Sequence, residues 1–245
     1  MPLSEVNNYR DAIIAVGTGG PTYQFPDGVS YWHKQQPVHA HVVNNVAAGF
    51  AAHSSDGFLP WHREYLNRYE MLLREAYPTV TLFYWDWTVD PRTIPRLVSL
   101  MGSFAGPIGA PFNVLAPPAV SRITGTHPSA PSQTSVSDAT VIGQATFGGH
   151  RIQNENPHNT SHPFVGGLGG TVSSPSTAAR DPFFFFIHAK ADELWARWQR
   201  PNTSRYTPGT AYSGSSSTMA EPMSPWSGLR LTAPASGTNL PHGIS

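Results

Sequence analysis

The sequence HSSDGFLPWHREYLNRYEMLLREAY, residues 53–77, predicts one long helix that follows a break in the chain. Within it, apolar and aromatic residues recur at three- and four-residue steps, which is the period of an amphipathic helix. We expect the helix to cover residues 60–77, because Pro60 suits a first helical position and Pro78 cannot continue it. His62 lies on the apolar stripe, so its imidazole is expected to face the core.

His53 is predicted to belong to the same site as His62, although the two lie nine residues apart. At about 100° per residue, this spacing would put them on opposite faces of one continuous helix. Gly57 and Pro60 interrupt a helix at this point. The break lets His53 approach from a separate segment, so both imidazoles can reach one metal ion.

A third upstream ligand has three candidates, His33, His39 and His41. If residues 38–50 are helical, His39 shares a stripe with apolar residues, whereas His41 lines up with Asn44, Asn45 and Ala48. His33 lies before Pro37, where only an irregular segment could deliver it. We favour His39 and keep the other two as alternatives. The stripe of His39 comprises Val42, Val43, Val46 and Phe50.

A second long helix is predicted over residues 182–199. Asp181 suits the N-cap, Pro182 suits the first helical position, and Pro201 closes the segment. One face of this helix carries His188 together with Ala191, Asp192, Trp195 and Trp198.

His158 and His162 are four residues apart in NPHNTSHP, a spacing that puts two imidazoles on one face of a helical turn. Asn156 can cap such a turn and Pro157 can open it. Pro163 disfavours helix at the residue before it, so we expect the turn to be short.

Composition narrows the function classes. The 245 residues carry no net charge and only 12% are charged, so no basic face for nucleic acid is expected. No run approaches the roughly 18 apolar residues of a membrane span, and MPLSEVNNYRDAI lacks the regions of a secretory signal. The lack of cysteine excludes disulfides, Cys-ligated zinc and iron–sulfur clusters. We expect a soluble chain that binds a small neutral partner, with its compartment left open.

The remaining segments are irregular. Pro and Gly are abundant, with 24 and 22 residues, and this predicts long connections between few helices. Residues 101–150 and 201–245 have little periodicity and are expected to be surface-wrapping loops. Residues 79–87, TVTLFYWDW, favour a short extended segment or a buried loop.

Two groups of three histidines therefore stand out. All-imidazole coordination without cysteine suits copper or zinc rather than magnesium or calcium. A carboxylate-bridged di-iron pair would need two Glu-x-x-His motifs, and the sequence has one, from Glu155 to His158. A zinc hydrolase also uses three histidines and an open position for water. Two such groups in one chain fit a pair of copper ions better.

The chain resembles the type 3 copper proteins, specifically the tyrosinase and catechol oxidase group. HSSDGFLPWHREYLNRYEMLLRE, followed by LFYWDWTVDP, is similar to the family's first-copper motif. PHNTSH, then a glycine-rich loop, then DPFFFFIHAKADELWARWQ, is similar to its second-copper motif. The motifs cover much of residues 39–62 and 154–199, while the Pro-rich middle and the tail match no motif.

The resemblance implies a mainly α, single domain over residues 1–245, with a four-helix-bundle core around a dicopper site, long Pro/Gly-rich loops and a few short strands. It divides the chain into a first-copper region (33–87), a loop-rich insertion (101–150), a second-copper region (151–200) and an irregular tail (201–245). It assigns one copper ion to His39, His53 and His62, and the other to His158, His162 and His188.

Further residues are assigned by the same resemblance. Phe184 matches an aromatic residue that packs against the site, and Asp192 matches a residue that supports the ligands. Asn159 matches an asparagine that orients a base-like water together with a glutamate. Glu155 is the nearby glutamate, although it lies one residue out of register. Ile187 replaces a common histidine, and the chain has no cysteine for a thioether cross-link to His53.

The implied function is a copper-dependent oxidase that uses O2 to convert o-diphenols to o-quinones and also hydroxylates monophenols. One alternative is a catechol oxidase or o-aminophenol oxidase without activity on monophenols, and another is a haemocyanin-like O2-binding protein. The expected partner is a small phenolic substrate, with a copper-delivery protein as a further candidate. No nucleic acid or membrane is expected. Residues 165–179, rich in Gly and Ser, are expected to line the entrance.

Overall fold

The fold consists mainly of α-helices. The computed structural model describes residues 3–44, 52–115, 119–126, 136–206 and 242–244. The α-helices in these residues are α1 (Leu3–Thr18), α2 (Gln35–Asn44), α3 (Phe58–Ala76), α4 (Pro95–Met101), α5 (Asp138–Ile142), α6 (Phe147–Gly166) and α7 (Phe183–Gln199). The strands are β1 (Phe83–Trp85), β2 (Ala105–Pro107), β3 (Ser121–Ile123) and β4 (His242–Ile244). Single 3₁₀ turns at Thr171–Ser173 and Ala178–Arg180 lie between α6 and α7.

Helix α3 begins at Phe58, two residues earlier than predicted, so Pro60 is its third residue. Proline is tolerated there because the first N–H groups of a helix have no partner within it. The helix ends at Ala76, and the backbone N–H of Tyr77 donates to the Leu73 carbonyl. Its buried face includes His62, as predicted.

Helix α7 is the central element, and it begins at Phe183, one residue later than predicted. The N-cap is Pro182 rather than the predicted Asp181, although the Asp181 carboxylate accepts the backbone N–H of Phe183 at 2.9 Å from one residue earlier. Every residue from Phe183 to Ala196 is buried. A helix that is buried all round belongs to the core, and α7 contacts α3, α5, α6 and β1.

The prediction of a short turn at His158 and His162 is wrong. Helix α6 runs for 20 residues through Pro157 and Pro163. Each proline removes one helical hydrogen bond, at a cost of about 3 kcal/mol, but the buried face of α6 continues from Phe147 to Gly166 and packs on α7. Tertiary burial therefore outweighs the local preference.

Helix α2 begins at Gln35, three residues before the predicted start. His39 and Val42 are buried, with 1% and 3% of their surfaces exposed, so this part of the predicted stripe faces the core. The rest of the predicted helix, residues 45–50, lies outside the described residues.

Short strands close the fold. Residues 79–87 contain β1, which pairs in parallel with β4, so that Phe83 lies opposite His242. Strands β2 and β3 pair antiparallel, with Ala105 opposite Ile123. The extended alternative for residues 79–87 is therefore correct for Phe83–Trp85.

The prediction that residues 101–150 only wrap the surface is partly wrong. Phe104, Ile108 and Phe112 are buried in the core. Arg122, fully buried, forms a two-pronged ion pair with Asp181, at 2.5 Å and 2.7 Å. This ion pair links the segment to the start of α7, and no periodic pattern in the sequence predicts it. Most of the tail, residues 207–241, lies outside the described residues.

The chain is mainly helical, and helices α2, α3, α6 and α7 form the core that surrounds the histidines. Helix α1 packs on the outer side of α3. Among the described residues, no helix combines the length and the apolar character that crossing a membrane requires.

Candidate metal centre

Six histidines converge at the middle of the helical core. His39 is on α2, His62 on α3 and His188 on α7. His53 lies in the non-helical segment before α3, as the Gly57 and Pro60 break predicts. The remaining two, His158 and His162, project from consecutive turns of α6.

The downstream group consists of His158, His162 and His188. Its Nε2 atoms lie 3.0 Å apart for His158 and His162, 3.1 Å for His158 and His188, and 3.3 Å for His162 and His188. Nitrogen ligands about 2.0–2.1 Å from one ion are separated by about 3–3.5 Å. The spacing therefore matches three ligands of a single ion.

The upstream group consists of His39, His53 and His62. One ligand nitrogen from each lies within 4.8 Å of the others, as in the downstream group. The ring centroids are 4.9 Å apart for His53 and His62 and 5.1 Å apart for His39 and His53. The downstream centroids are 4.6 Å apart for His158 and His162 and 4.4 Å apart for His158 and His188, so the upstream rings lie slightly farther apart but offer the same three donors.

The two groups are in direct contact. The rings of His62 and His188 stack at 4.1 Å with an interplanar angle of 15°. His39 is also 6.3 Å from His188, and His62 is 6.2 Å from His158, measured between ring centroids. Two ions held by these groups would be neighbours in one site.

Hydrogen bonds to backbone carbonyls fix which nitrogen carries the proton in three of the rings. The Nδ1–H of His39 donates to the Pro175 carbonyl at 2.9 Å, and that of His62 donates to the Phe58 carbonyl at 2.8 Å. His162 donates in the same way to the Val172 carbonyl at 2.8 Å. Since a carbonyl can only accept, the proton is on Nδ1 and the lone pair is on Nε2. This is the tautomer that a metal site needs.

Several of these nitrogens lack a partner within the described residues. The Nε2 atoms of His39 and His62 are buried and make no hydrogen bond, and neither does Nδ1 of His188. An unpaired polar atom in the core lowers the stability of the fold. In the downstream group, the lone pairs of the three Nε2 atoms, about 3 Å apart, also repel one another. A cation at the upstream group would satisfy the Nε2 atoms of His39 and His62, and a cation at the downstream group would bind its three close Nε2 atoms, so the donor set fits two metal ions.

Burial keeps the imidazoles uncharged. Desolvation lowers the pKa of His53 and of His162 to about 4. Desolvation, reinforced by neighbouring imidazoles, also holds the pKa well below its usual value in the other four: His39, His62, His158 and His188. Neutral imidazole is the form that binds a metal ion.

Aromatic rings pack against both groups. The ring of Phe184 lies 4.1 Å from that of His188 and 4.8 Å from that of His39, centroid to centroid. Phe58 lies 4.8 Å from His158 in the same measure. These contacts limit ring rotation, and Phe184 occupies the position that the sequence resemblance implies.

Comparison with known proteins identifies the family. The model for the common central domain of tyrosinase matches residues 27–135 and 115–201. These residues cover most of the chain. The chain belongs to the tyrosinase family of type 3 copper proteins.

Relatives and structures agree with this assignment. Tyrosinase of Streptomyces glaucescens is 31% identical over 226 residues, covering 76% of this chain and 78% of that protein. Hemocyanin units G and H of Sepia officinalis are 28% identical over 237 residues, covering 91% of this chain. A polyphenol oxidase structure from Thermothelomyces thermophila superposes with a TM-score of 0.63 at 20% identity, covering 86% of this chain and 74% of that one.

The chain spans only part of some relatives. It covers 40% of the Sepia protein, and 26% of a Caenorhabditis elegans tyrosinase-like protein that is 32% identical over 188 residues.

Asn159 supports a histidine of this tyrosinase-family site. Its Oδ1 accepts the Nδ1–H of His158 at 3.0 Å, which leaves Nε2 of that ring for a metal. Asn159 is also exposed and lines a cavity of ≈220 Å³, here called the metal cavity, whose wall includes His39, His53 and His162. The residue therefore contacts both a ligand and the space where a substrate would sit.

Glu155 is placed differently from the role that the resemblance implies. Its Oε1 accepts the backbone N–H of Ser54 at 2.6 Å, and its Oε2 accepts Nη1–H of Arg151 at 3.0 Å. It is buried and is not among the described residues that line the metal cavity. Ser54 follows His53 and has a positive φ of 53°. Glu155 thus holds the segment that carries His53.

Asp192 links α7 to α3. It forms a buried ion pair with Arg63, the residue after His62, and Arg63 also donates to Gln199 at 2.7 Å. The Arg63 guanidinium lies 3.7 Å over the ring of Trp195. The network locks α3 to α7, so Asp192 supports the ligands through helix position.

The other candidate histidines stay outside both groups. The Nδ1 atom of His33 lies 2.6 Å from the Ser30 hydroxyl, and His41 is only half-buried on α2. His150 is buried, stacks on Trp198 at 4.8 Å and donates from Nδ1 to the Val141 carbonyl at 2.9 Å.

Some functional contacts gave no sequence signal. The carbonyls that orient the imidazoles belong to Phe58, Val172 and Pro175, and a backbone carbonyl is present at every residue whatever its side chain. Pro175 and Val172 lie within the predicted entrance segment, residues 165–179. That segment also contributes Ser173, Pro175 and Ala178 to the cavity wall.

Proposed function

We propose that each histidine group holds one copper ion, and that the chain uses O2 to oxidise o-diphenols to o-quinones. The observation that carries the proposal is the contact of two neutral three-imidazole groups beside one cavity. The donor set suits copper, and membership of a type 3 copper family favours copper over zinc.

Bound copper would supply the redox chemistry, taking two electrons from each o-diphenol, so that two diphenols and one O2 give two quinones and two waters. The chain's residues position the groups that react. Carbonyls of Phe58, Val172 and Pro175 hold the imidazole protons on Nδ1. Phe184 and Phe58 restrict the rings by direct contact.

The cavity suits a single aromatic ring. Its volume, ≈220 Å³, is below the roughly 300 Å³ at which pockets for drug-sized ligands begin. Histidines form its floor, while Pro163, Pro175 and Ala178 contribute apolar wall. A phenol placed here would have its oxygen at the metal groups and its ring against apolar carbon.

Monophenols are proposed to be poorer substrates than o-diphenols. A monophenol must lose a proton with a pKa of about 10 before it is hydroxylated, which calls for a base. Asn159 lines the cavity, but the Glu155 carboxylate is occupied by Ser54 and Arg151. We therefore propose diphenol oxidation as the main activity, with o-aminophenols as further substrates and monophenols turned over more slowly.

Reversible O2 binding is the second candidate function, because hemocyanins are among the relatives. An oxygen carrier of this family would block access of phenols to the site. Among the described residues, the cavity includes exposed Asn159 and Pro175 at its edge, which favours access. This observation supports the oxidase over the carrier.

The test is to load the purified chain with copper and follow O2 consumption and quinone formation. The substrates are 4-methylcatechol, o-aminophenol and p-cresol. We expect rapid quinone formation from 4-methylcatechol and slower turnover of p-cresol. Reversible O2 binding without quinone would favour the carrier, and no reaction with O2 in the copper-loaded chain would refute both functions.

A further inference from the structure

A second, larger groove lies beside the metal cavity. Its volume is ≈550 Å³, and it shares two lining residues, Pro163 and Ser173, with the metal cavity. Its other walls are the glycine-rich loop 167–171, Ser174, Thr177 and Arg180. A ligand whose ring occupies the metal cavity can extend past these two shared residues into the groove.

The hydroxyl groups of the groove are already bonded within the protein. The Ser173 hydroxyl donates to the Gly167 carbonyl at 2.7 Å, and the Thr177 hydroxyl donates to the Thr171 carbonyl at 2.6 Å. The Ser174 hydroxyl is paired with that of Ser176 at 2.9 Å. These side chains shape the groove but have little capacity left to recognise a ligand.

Arg180 is the exception. It is half-buried, and it makes no side-chain hydrogen bond or ion pair with any described residue. Its neighbour Asp181 is engaged by Arg122. Of the 15 acidic residues in the sequence, only Glu221 lies outside the described residues, and no described acidic residue lines either cavity. Among the described residues, the guanidinium therefore has no acidic counter-ion.

Arg180 is half-buried, so its side chain is partly shielded from solvent. It borders an apolar cavity of ≈270 Å³ whose walls include Trp32, Phe112 and Leu115. A charge-assisted hydrogen bond gains strength where water is partly excluded. A guanidinium offers its N–H groups as a planar fork that matches a carboxylate.

We propose that Arg180 binds the carboxylate of a phenolic acid whose ring occupies the metal cavity. The substrate class would be o-diphenols that carry a carboxylate on a short side chain. Such a substrate is an anion and therefore departs from the small neutral partner that the net charge of the chain suggests. The oxidation of such a substrate rests on the proposed function, whereas its binding by Arg180 does not.

The kinetic test compares 3-(3,4-dihydroxyphenyl)propionate with uncharged 4-methylcatechol. In Arg180→Gln we expect kcat/KM for the acid to fall about tenfold, as for loss of one charge-assisted hydrogen bond, with 4-methylcatechol almost unchanged. Arg180→Lys should retain part of the preference. Arg200→Gln, an exposed arginine that lines neither cavity, is the matched control. Equal loss on both substrates, or no loss, would overturn the proposal.

A binding measurement separates this proposal from the oxidase proposal. The metal-free chain is titrated with 3-(4-hydroxyphenyl)propionate and with 4-ethylphenol in a calorimeter. We expect the acid to bind more tightly than 4-ethylphenol, and Arg180→Gln to remove that difference. Failure of oxidation with this result intact would refute only the enzymatic activity. Equal affinities in the unmodified chain would refute the carboxylate site.

Discussion

The two histidine groups differ in how they are built. The downstream group takes His158 and His162 from one helix and His188 from the next, and its Nε2 atoms already lie within 3.3 Å of one another. The upstream group takes His39 and His62 from two helices and His53 from a segment without helix. Its rings lie slightly farther apart, with centroid separations of 4.9, 5.1 and 5.8 Å against 4.4, 4.6 and 5.3 Å in the downstream group.

The upstream group depends on residues that are distant in the sequence. His39 is oriented by the carbonyl of Pro175, 136 residues away, and the His53 segment is held by Glu155, 101 residues from Ser54. The downstream pair shares one helix, and its rings are oriented by the neighbouring Asn159 and by the Val172 carbonyl, ten residues from His162. We expect the upstream group to be the more easily disrupted half.

The largest effect is expected from His188→Ala. This change removes one of three downstream ligands and the ring that stacks on His62. Oxidation of 4-methylcatechol should be abolished, and bound copper should fall from two ions to about one. Metal analysis and quinone formation check this, with His41→Ala as control. Full copper occupancy in His188→Ala would remove this residue from the ligand set.

An effect of similar size is expected from His39→Ala, while His33→Ala should leave activity near its normal level. His39 is buried with its Nε2 directed at the upstream group, whereas His33 pairs with Ser30. Copper content and initial rates of the two variants are compared under the same loading conditions. Activity that survived in His39→Ala and vanished in His33→Ala would move the sixth ligand.

A smaller effect is expected from Glu155→Ala, which frees the Ser54 amide and the segment that carries His53. Upstream copper should bind more weakly, and activity should fall about tenfold or more at limiting copper. Glu155→Gln keeps an acceptor for Ser54 and should restore most of the loss, and exposed Glu75→Ala is the control. If Glu155 instead acted as a base, Glu155→Gln would lose activity with its copper intact.

The smallest effect concerns acid stability and a histidine outside both groups. Burial lowers the pKa of His150 to about 4, against about 6.5 when unfolded. Between these values the unfolded chain binds more protons, so stability is full above pH 6.5 and falls as the pH drops towards 4. His150→Gln should remove about 1.4 kcal/mol per pH unit from this dependence in urea unfolding of the metal-free chain. An unchanged slope would contradict a neutral buried His150.

Much of the site was predictable because its signals are local. The shared helix face of His158 and His162 and the helix around His62 follow from short-range rules, and the structure has both. The family resemblance supplied the grouping of the six histidines, and the structure brings the same six together.

The rest depends on tertiary contacts. Helix α6 passes through Pro157 and Pro163 because packing on α7 outweighs the local preference. Arg122 lies in a segment without periodicity, yet it is buried against Asp181. Glu155 is near His158 in sequence, but its hydrogen bonds go to Ser54 and Arg151. No pattern in one sequence shows which distant group a buried charge will meet.

Stepwise copper titration of the metal-free chain, with metal analysis at saturation, tests whether each histidine group holds one copper ion. We expect two copper ions per chain. The weaker binding step should be lost in His39→Ala and further weakened in Glu155→Ala, and the tighter step should be lost in His188→Ala. Saturation at one ion per chain, or two ions that remain in His39→Ala and His188→Ala alike, would contradict this expectation.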